Sequence, residues 1–562
     1  MTTAGAPLCI LAGAGSGKTR VLTRRIAYRI ATGSADPRHV LALTFTRKAA
    51  TELGRRLEAL GVRGHVSAGT FHAVAYAQLR QRWADDHRRP PSLLERKVGL
   101  LARLHAGGRA PGPKVQPADL AGEIEWAKAR MVVPAAYEAE VARLDRSTPL
   151  PAPEMAALYL RYEAEKRLRG LVDFDDLLAD FAQAMTSDPD FAASQRWRFR
   201  HLFVDEYQDV NPVQARLLAS WRGASDDLCV VGDCNQAIYS WNGADPAQLR
   251  DLPAREPKAT VVVLDDNFRS TPQILGVAAS LVRPGPGASG DLRARRSDGP
   301  LPSVRTYERD VDEAQNIARL VRDRHAPGTS WSQVAVLTRT NAQLVAFEAA
   351  FRAAGIPIRV RGGGAFLERP EVKSALADLG RPEAALGPGL ADMAAAMREG
   401  PPEHGAAADE RRAVLEELVR LGHDYLALEV EPTVAGFTAW LAAGLRSEAP
   451  HAATDAVELA TFHAAKGLEW PVVFLAGLER GLVPISHATT DEAREEERRL
   501  LYVAVTRAER ELHCSWARQR TFGERALRRQ PSPWLEEIRA ARAALAGEAR
   551  PGSAAWKSRL AE

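Results

Sequence analysis

The 562-residue chain is 46% hydrophobic and 26% charged, ordinary for globular protein and wrong for a disordered one; at a typical ~150 residues per domain it holds about four domains. No apolar run reaches the roughly 18 residues of a membrane span, no signal-peptide pattern opens the chain, and Cys9, Cys229, Cys234 and Cys514 lack metal-ligand or CxxC spacing. Membrane, secreted and disulfide-scaffold classes are thereby excluded, and reduced core cysteines of a cytoplasmic protein are expected.

Seventy-five basic against seventy-one acidic residues leave +4, too little to establish an anionic partner. The basic residues are overwhelmingly Arg, an excess that biased codon usage accounts for. The few lysines therefore merit inspection, and Lys18 and Lys466 fall inside Gly-containing motifs.

In chain order, Leu8–Leu11 reads as a buried strand, followed by a Gly-rich loop and a helix from Lys18. Val40–Thr44 is a second strand and Ala49–Leu60 a helix. Such alternation predicts a parallel sheet flanked by helices, and it returns at His201–Val204, Leu228–Val231 and Thr260–Leu264. Between Ala73 and Lys166 long charged helices, broken at Pro90–Pro91 and Ala110–Pro113, read as an insertion.

A loop signal at Pro284–Gly290 precedes a second series, with strands expected at Val334–Leu337, Ile358–Val360, Val457–Thr461 and Val472–Ala476. From about Gly380 to Pro450 the chain is strand-poor, with low complexity at Gly387–Ala408 and a helix at Arg411–Leu428, a shorter helical insertion. One more strand and an Arg/Ala-rich helical tail follow Arg510.

Ala12, Gly13, Ala14, Gly15, Ser16, Gly17, Lys18 and Thr19 follow a strand and open a helix, meeting the P-loop pattern except for Ala12 at the first Gly position. Glycines let backbone N–H groups curl around phosphate, and the helix N-terminus adds positive potential. Lys18 would reach the β- and γ-phosphates of ATP, and the Thr19 hydroxyl would bind Mg²⁺. A strand running into Asp205–Glu206 supplies the acidic partner: Asp205 to hold Mg²⁺ through water, Glu206 to orient and deprotonate the attacking water.

Read in order, the motifs resemble those of the UvrD/Rep/PcrA group, the superfamily 1A DNA helicases. They are AGAGSGKT at 12–19, LTFTRKAA at 43–50, GTFHA at 69–73, DFDDLL at 173–178, DEYQD at 205–209, VGDCNQAIYSWNGA at 231–244 and NFRS at 267–270. The second half supplies AVLTRTNAQ at 335–343, TFHAAKGLEW at 461–470 and RRLLYVAVTRA at 498–508. The resemblance implies an α/β protein of two RecA-like P-loop cores, parallel sheets flanked by helices, each interrupted by a mainly helical insertion. Residues 1–73 and 166–270 would form the first core around the insertion 74–165. Residues 271–379 and 453–545 would form the second around 380–452, with 546–562 a disordered tail.

The resemblance also assigns roles. Gln236 resembles the γ-phosphate sensor, and Arg269 and Arg507 the two arginines brought to the γ-phosphate from either side of a cleft, each suited by its fork of donors to phosphoryl oxygens. Phe268 stands where the family usually stacks Tyr on adenine; Gly467 and Glu469 resemble nucleotide contacts, Glu469 to the ribose. Tyr239, Trp241 and Phe45 resemble base-stacking rings. Thr44, Thr70, His72, Arg339, Thr461 and His463 resemble phosphate-backbone contacts, which position a strand without reading its sequence. Asn242 replaces a basic residue common in the family, which implies a weaker grip.

The implied function is ATP-driven 3′ to 5′ movement on single-stranded DNA with unwinding at single-strand/duplex junctions, in repair or replication maintenance. Because 380–452 is short for the family, a translocase that displaces proteins and unwinds little is an alternative; an ATPase-dead DNA-binding scaffold is another. The family's adenine-reading Gln ahead of the P-loop has no counterpart in Met1–Pro7. Either the true start lies upstream or adenine is held by the Phe268 stack alone; for the chain as written, weak discrimination of ATP from GTP is expected, since a stack carries no donor–acceptor pattern.

Overall fold

A computed structural model describes residues 1–3, 7–94, 97–106, 115, 117–282, 285, 287, 291–326, 328–361, 370–399, 415, 418–419, 422, 425–426, 432–444, 455–486, 488–522 and 525–547. Two large sheets organise it. The first is built from β1 (Leu8–Ala12), β2 (Val40–Thr44) and β3 (Ser67–Thr70), then, after the short pair β4 (Ser92–Leu93) and β5 (Leu171–Val172), from β6 (His201–Val204), β7 (Leu228–Gly232) and β8 (Thr260–Leu264). All six run parallel in the order β3-β2-β6-β7-β1-β8.

After a two-stranded ribbon of β9 (Asp266–Asn267) and β10 (Arg293–Ala294), the second sheet comprises β11 (Ser303–Arg309), β12 (Val334–Thr338), β13 (Ile358–Arg361), β14 (Val457–Thr461), β15 (Trp470–Leu475), β16 (Ala508–Phe522) and β17 (Arg525–Arg528). Its order is β11-β16-β15-β12-β14-β13, parallel, with β17 antiparallel to β16.

The central strands are almost entirely apolar, with Thr44 and Thr338 at their ends, and buried on both faces, as helix-covered parallel sheets require. Two strands escaped the apolar-run criterion. β3 is the small-residue stretch Ser-Ala-Gly-Thr, and β11 is an edge strand whose charged side chains, Arg305, Glu308 and Arg309, are exposed. The low-complexity stretch from Gly387 instead enters a helix, Leu386–Glu399, consistent with its alanines. The features expected at 110–113, at Pro284–Gly290 apart from Gly285 and Gly287, along most of Arg411–Leu428 and from 548 onward fall outside the described residues. Cys9, Cys229 and Cys514 lie buried on strands and Cys234 half-buried in a turn, all as free thiols. Among the described residues no helix is long and apolar enough to cross a membrane.

Between the halves of the first sheet, the helices Lys97–Ala106, Pro117–Ala129, Tyr137–Arg143 and Ala152–Arg169 bury their own cluster around Leu101, Ile124, Tyr137 and Tyr162. A buried charge knot ties them to the sheet's helix Phe174–Ser187. Asp173 caps that helix in a capping box with Asp176, and its carboxylate accepts from Lys128 Nζ at 2.7 Å, Lys166 Nζ at 2.9 Å and Tyr162 Oη at 2.7 Å. Burial opposes charge on Asp173, yet Lys97, Lys128 and Lys166 outweigh it and hold the carboxyl well below its usual range.

Removing one member strands the others. Asp173→Asn should therefore cost on the order of 3–5 kcal/mol, read as a lowered first transition in thermal unfolding. An unchanged midpoint would show that the knot is not structural.

Candidate nucleotide and nucleic-acid site

The loop between β1 and the helix Lys18–Ala31 turns through left-handed backbone at Gly15 (φ 68°) and Gly17 (φ 84°). A Cβ on Gly15 would lie 2.5 Å from Asn267 Nδ2, so only glycine fits. Ala12 is still in strand conformation at the end of β1, which explains why the first Gly of the pattern is dispensable. Asn267 Nδ2 donates to Ala14 O at 2.6 Å and Phe268 N to Gly15 O at 2.9 Å, stapling the loop to the NFRS segment. Ser16 Oγ closes the loop onto Gly13 O at 2.8 Å.

At its mouth, Lys18 Nζ is buried, 3.4 Å from Glu206 Oε2, and makes no hydrogen bond among the described residues. A buried ammonium with unused donors fits a phosphate oxygen. Thr19 Oγ1 donates to Asp205 Oδ2 at 2.7 Å; two hard oxygens so close suit a magnesium ion, which would supply positive charge to phosphate oxygens there.

Glu206 follows β6 with φ 50°, a left-handed non-glycine residue, strain that the surroundings must enforce. Gln208 Nε2 donates to Glu206 Oε2 at 2.5 Å, while Gln208 Oε1 accepts from Asp233 N at 2.9 Å. Gln236 Nε2 in turn donates to Asp233 Oδ2 at 2.8 Å, joining sensor and acid through a chain of polar groups. Burial and the neighbouring Glu206 push Asp205 up to about 6. Burial works against Glu206 too, but Lys18, Lys466 and the Gln208 amide outweigh it and bring it to about 2, so it stands as a carboxylate at neutral pH.

The second sheet brings its residues to the same place. Arg269 Nε donates to Glu469 Oε2 at 2.6 Å, so the expected ribose ligand is here an arginine partner. Arg507 is buried, giving Nε to Val503 O at 2.9 Å and Nη1 to Leu468 O at 3.1 Å. Burial, then the charge of Arg269, lowers it to about 9. Gly467 turns at φ 80° with open space at its Cβ, so its requirement is backbone rather than steric. Phe268 is 56% exposed, an open ring beside the loop.

Lys466, conspicuous in sequence but given no role there, is the chief addition. Its Nζ donates to Asp209 at 2.6 and 2.8 Å and to Gln236 O at 2.7 Å, crossing from the second sheet to the first. Burial raises Asp209 to about 6 despite that contact. The lysine's rarity was the available signal; its partner lay more than two hundred residues away.

On the proposed nucleic-acid side, Trp241 is 55% exposed, edge-on to His463 and Tyr239 with both centroids at 6.4 Å. Tyr239 is half-buried beneath Lys466 Nζ, 4.8 Å from the ring centroid, and Phe45 rests against Phe71. Several expected phosphate contacts have other work. Thr70 caps the helix Phe71–Asp85, the Thr461 hydroxyl accepts from Ala464 N at 3.3 Å, and Thr44 is buried. Arg339 is committed to Glu497 at 2.6–3.1 Å. Burial, aided by Lys97 and opposed by Asp175, lowers His72, and burial with the charges of Arg339 and Lys466 takes His463 down to about 3.

These features fit a P-loop nucleoside triphosphatase whose site is shared by two parallel sheets. Residues 1–255 match the model of the UvrD/REP helicase N-terminal domain, and 262–381 with 390–519 that of the UvrD-like helicase C-terminal domain. The chain belongs to the UvrD/REP helicase family. It is 44% identical over 563 residues to the ATP-dependent DNA helicase UvrD2 of Mycobacterium tuberculosis, covering 95% of this chain and 79% of that protein. It is 30% identical to the ATP-dependent DNA helicase PcrA of Bacillus subtilis (95% and 84% covered) and to UvrD1 of Mycobacterium tuberculosis (95% and 83%).

Glu206→Gln keeps the size and the Gln208 contact but cannot take a proton. Turnover should fall by about 10²–10⁴-fold while ATP binding persists, whereas Lys18→Ala should weaken binding itself. Equilibrium binding of a fluorescent ATP analogue alongside steady-state hydrolysis separates the two; wild-type turnover in Glu206→Gln would refute the base assignment.

Proposed function

We propose that the protein is an ATP-dependent DNA helicase that moves 3′ to 5′ on single-stranded DNA and opens single-strand/duplex junctions, with Mg²⁺ held by Thr19 and Asp205, in cytoplasmic DNA repair or replication maintenance. Family membership supports the reaction class. Within this reading the two sheets are the RecA-like cores, 74–165 and 380–452 their insertions. Lys18, Arg269 and Arg507 bind and stabilise the phosphates, Glu206 takes the proton of the attacking water, and Phe268 stacks on adenine.

One observation carries the motor reading. Gln236, linked through Asp233 and Gln208 to Glu206, lies only five residues from Trp241, the exposed ring on the nucleic-acid side. A change at the phosphate end of that segment is felt at the base-stacking end without passing through a flexible linker. Duplexes with a 3′ or a 5′ single-stranded tail test polarity: ATP-dependent opening of the 3′-tailed substrate alone is expected, and opening from the 5′ tail would refute the direction.

A base stacked on an aromatic ring is worth ~1–3 kcal/mol. Trp241→Ala should therefore weaken single-strand binding by roughly 5- to 150-fold and abolish DNA stimulation while basal hydrolysis persists. Joint loss of basal hydrolysis and thermal stability would instead mark Trp241 as a packing residue.

A further inference from the structure

The segment from Gln236 to Ser240 belongs by sequence to the first sheet but is gripped by the second. Ile238, fully buried, packs into the second sheet's apolar cluster with Leu501, Ala504 and Val505. The backbone on either side is pinned by one helix, Asp491–Val505, which ends just before Arg507. Glu496 Oε1 accepts from Ser240 N at 2.9 Å, and Arg499 Nε donates to Ala237 O at 2.8 Å. Glu496 and Arg499 stand three residues apart on one helical face, and both are half-buried.

We propose that Glu496, Arg499 and Ile238 form a clamp that fixes the Gln236–Trp241 segment to the second core, with Glu496 and Arg499 as positioning residues for coupling. Backbone groups are gripped, so the clamp does not engage the Gln236 side chain, whose amide donates to Asp233, or the exposed Trp241 ring. The segment remains tied to the first sheet through Asp233 and Gln208, so the clamp couples it to the helix that precedes Arg507 and holds sensor, stacking ring and Arg507 in register when the cores are together. The inference rests on the helicase reading.

The test uses full-length wild type, Glu496→Ala, Glu496→Gln and Arg499→Ala with an oligothymidylate single strand. Glu496→Ala and Arg499→Ala should keep basal hydrolysis and the thermal midpoint but lose roughly tenfold of the DNA-stimulated kcat, at unchanged KM for ATP. Glu496→Gln retains an acceptor for Ser240 N and should restore most of the stimulation. Hydrogen exchange of the free protein provides a readout independent of DNA: the Ser240 amide should exchange faster in Glu496→Ala than in wild type or Glu496→Gln.

Undiminished stimulation, unchanged Ser240 exchange, failure of Glu496→Gln to rescue, or loss of basal hydrolysis together with stability would each overturn the clamp. A wild type that DNA does not stimulate would overturn the helicase reading and the clamp with it; a stimulated wild type with an equally stimulated Glu496→Ala overturns the clamp alone.

Discussion

The ammonium of Lys466, caged by Asp209 and the Gln236 carbonyl, is the contact on which the site depends. Asp205, Glu206 and Asp209 lie within one short turn after β6, two buried carboxyls and one half-buried in a medium that penalises charge. The first sheet contributes one lysine against them, Lys18; the second contributes Lys466. Burial and mutual repulsion push Asp205 and Asp209 up, whereas Glu206, facing both lysines, is held low. The reactive carboxylate owes its charge state to both sheets, so nucleotide chemistry and the relative placement of the sheets are one problem.

Lysine placement repeats this logic elsewhere. In a chain whose cations are overwhelmingly Arg, codon bias explains the arginines but not where lysine remains. Lys166 is buried and Lys97, Lys128 and Lys466 half-buried, each against two or more acceptors at 2.6–3.2 Å. A compact ammonium fits inside a cage of carboxylates, where a planar guanidinium would need a wider, flatter opening. Arginine is used where its fork matters: Arg339 meets Glu497 through two nitrogens, and Arg520 bridges the buried Glu313 and Glu479.

What was legible in the sequence follows from range. Mostly apolar runs such as Val40–Thr44 and Val457–Thr461 gave strands within a residue or two, because burial on both faces favours apolar positions; the exception inside the second run, Glu458, is buried against Arg359 and Arg361 of β13. β3 and β11 were hidden because small residues and an exposed edge remove that signature. The P-loop and the acidic turn were visible as local patterns. The pairs that complete the site, Arg269 with Glu469, Arg339 with Glu497 and Lys466 with Asp209, join residues 158 to 257 positions apart and leave no local trace. Thr70, at a strand–helix junction, caps the helix Phe71–Asp85, where a hydroxyl satisfies the helix's unpaired N–H groups.

A double-mutant cycle across the two sheets is the most direct test of this account. Lys466→Met and Asp209→Asn each leave the partner buried without its counter-charge, and each should lower DNA-stimulated kcat by about tenfold or more. The double variant should lose no more than the worse single, because the charge that was stranded is gone. If the two losses multiplied instead, Lys466 and Asp209 would act independently, and the claim that the sheets share one electrostatic site would be wrong.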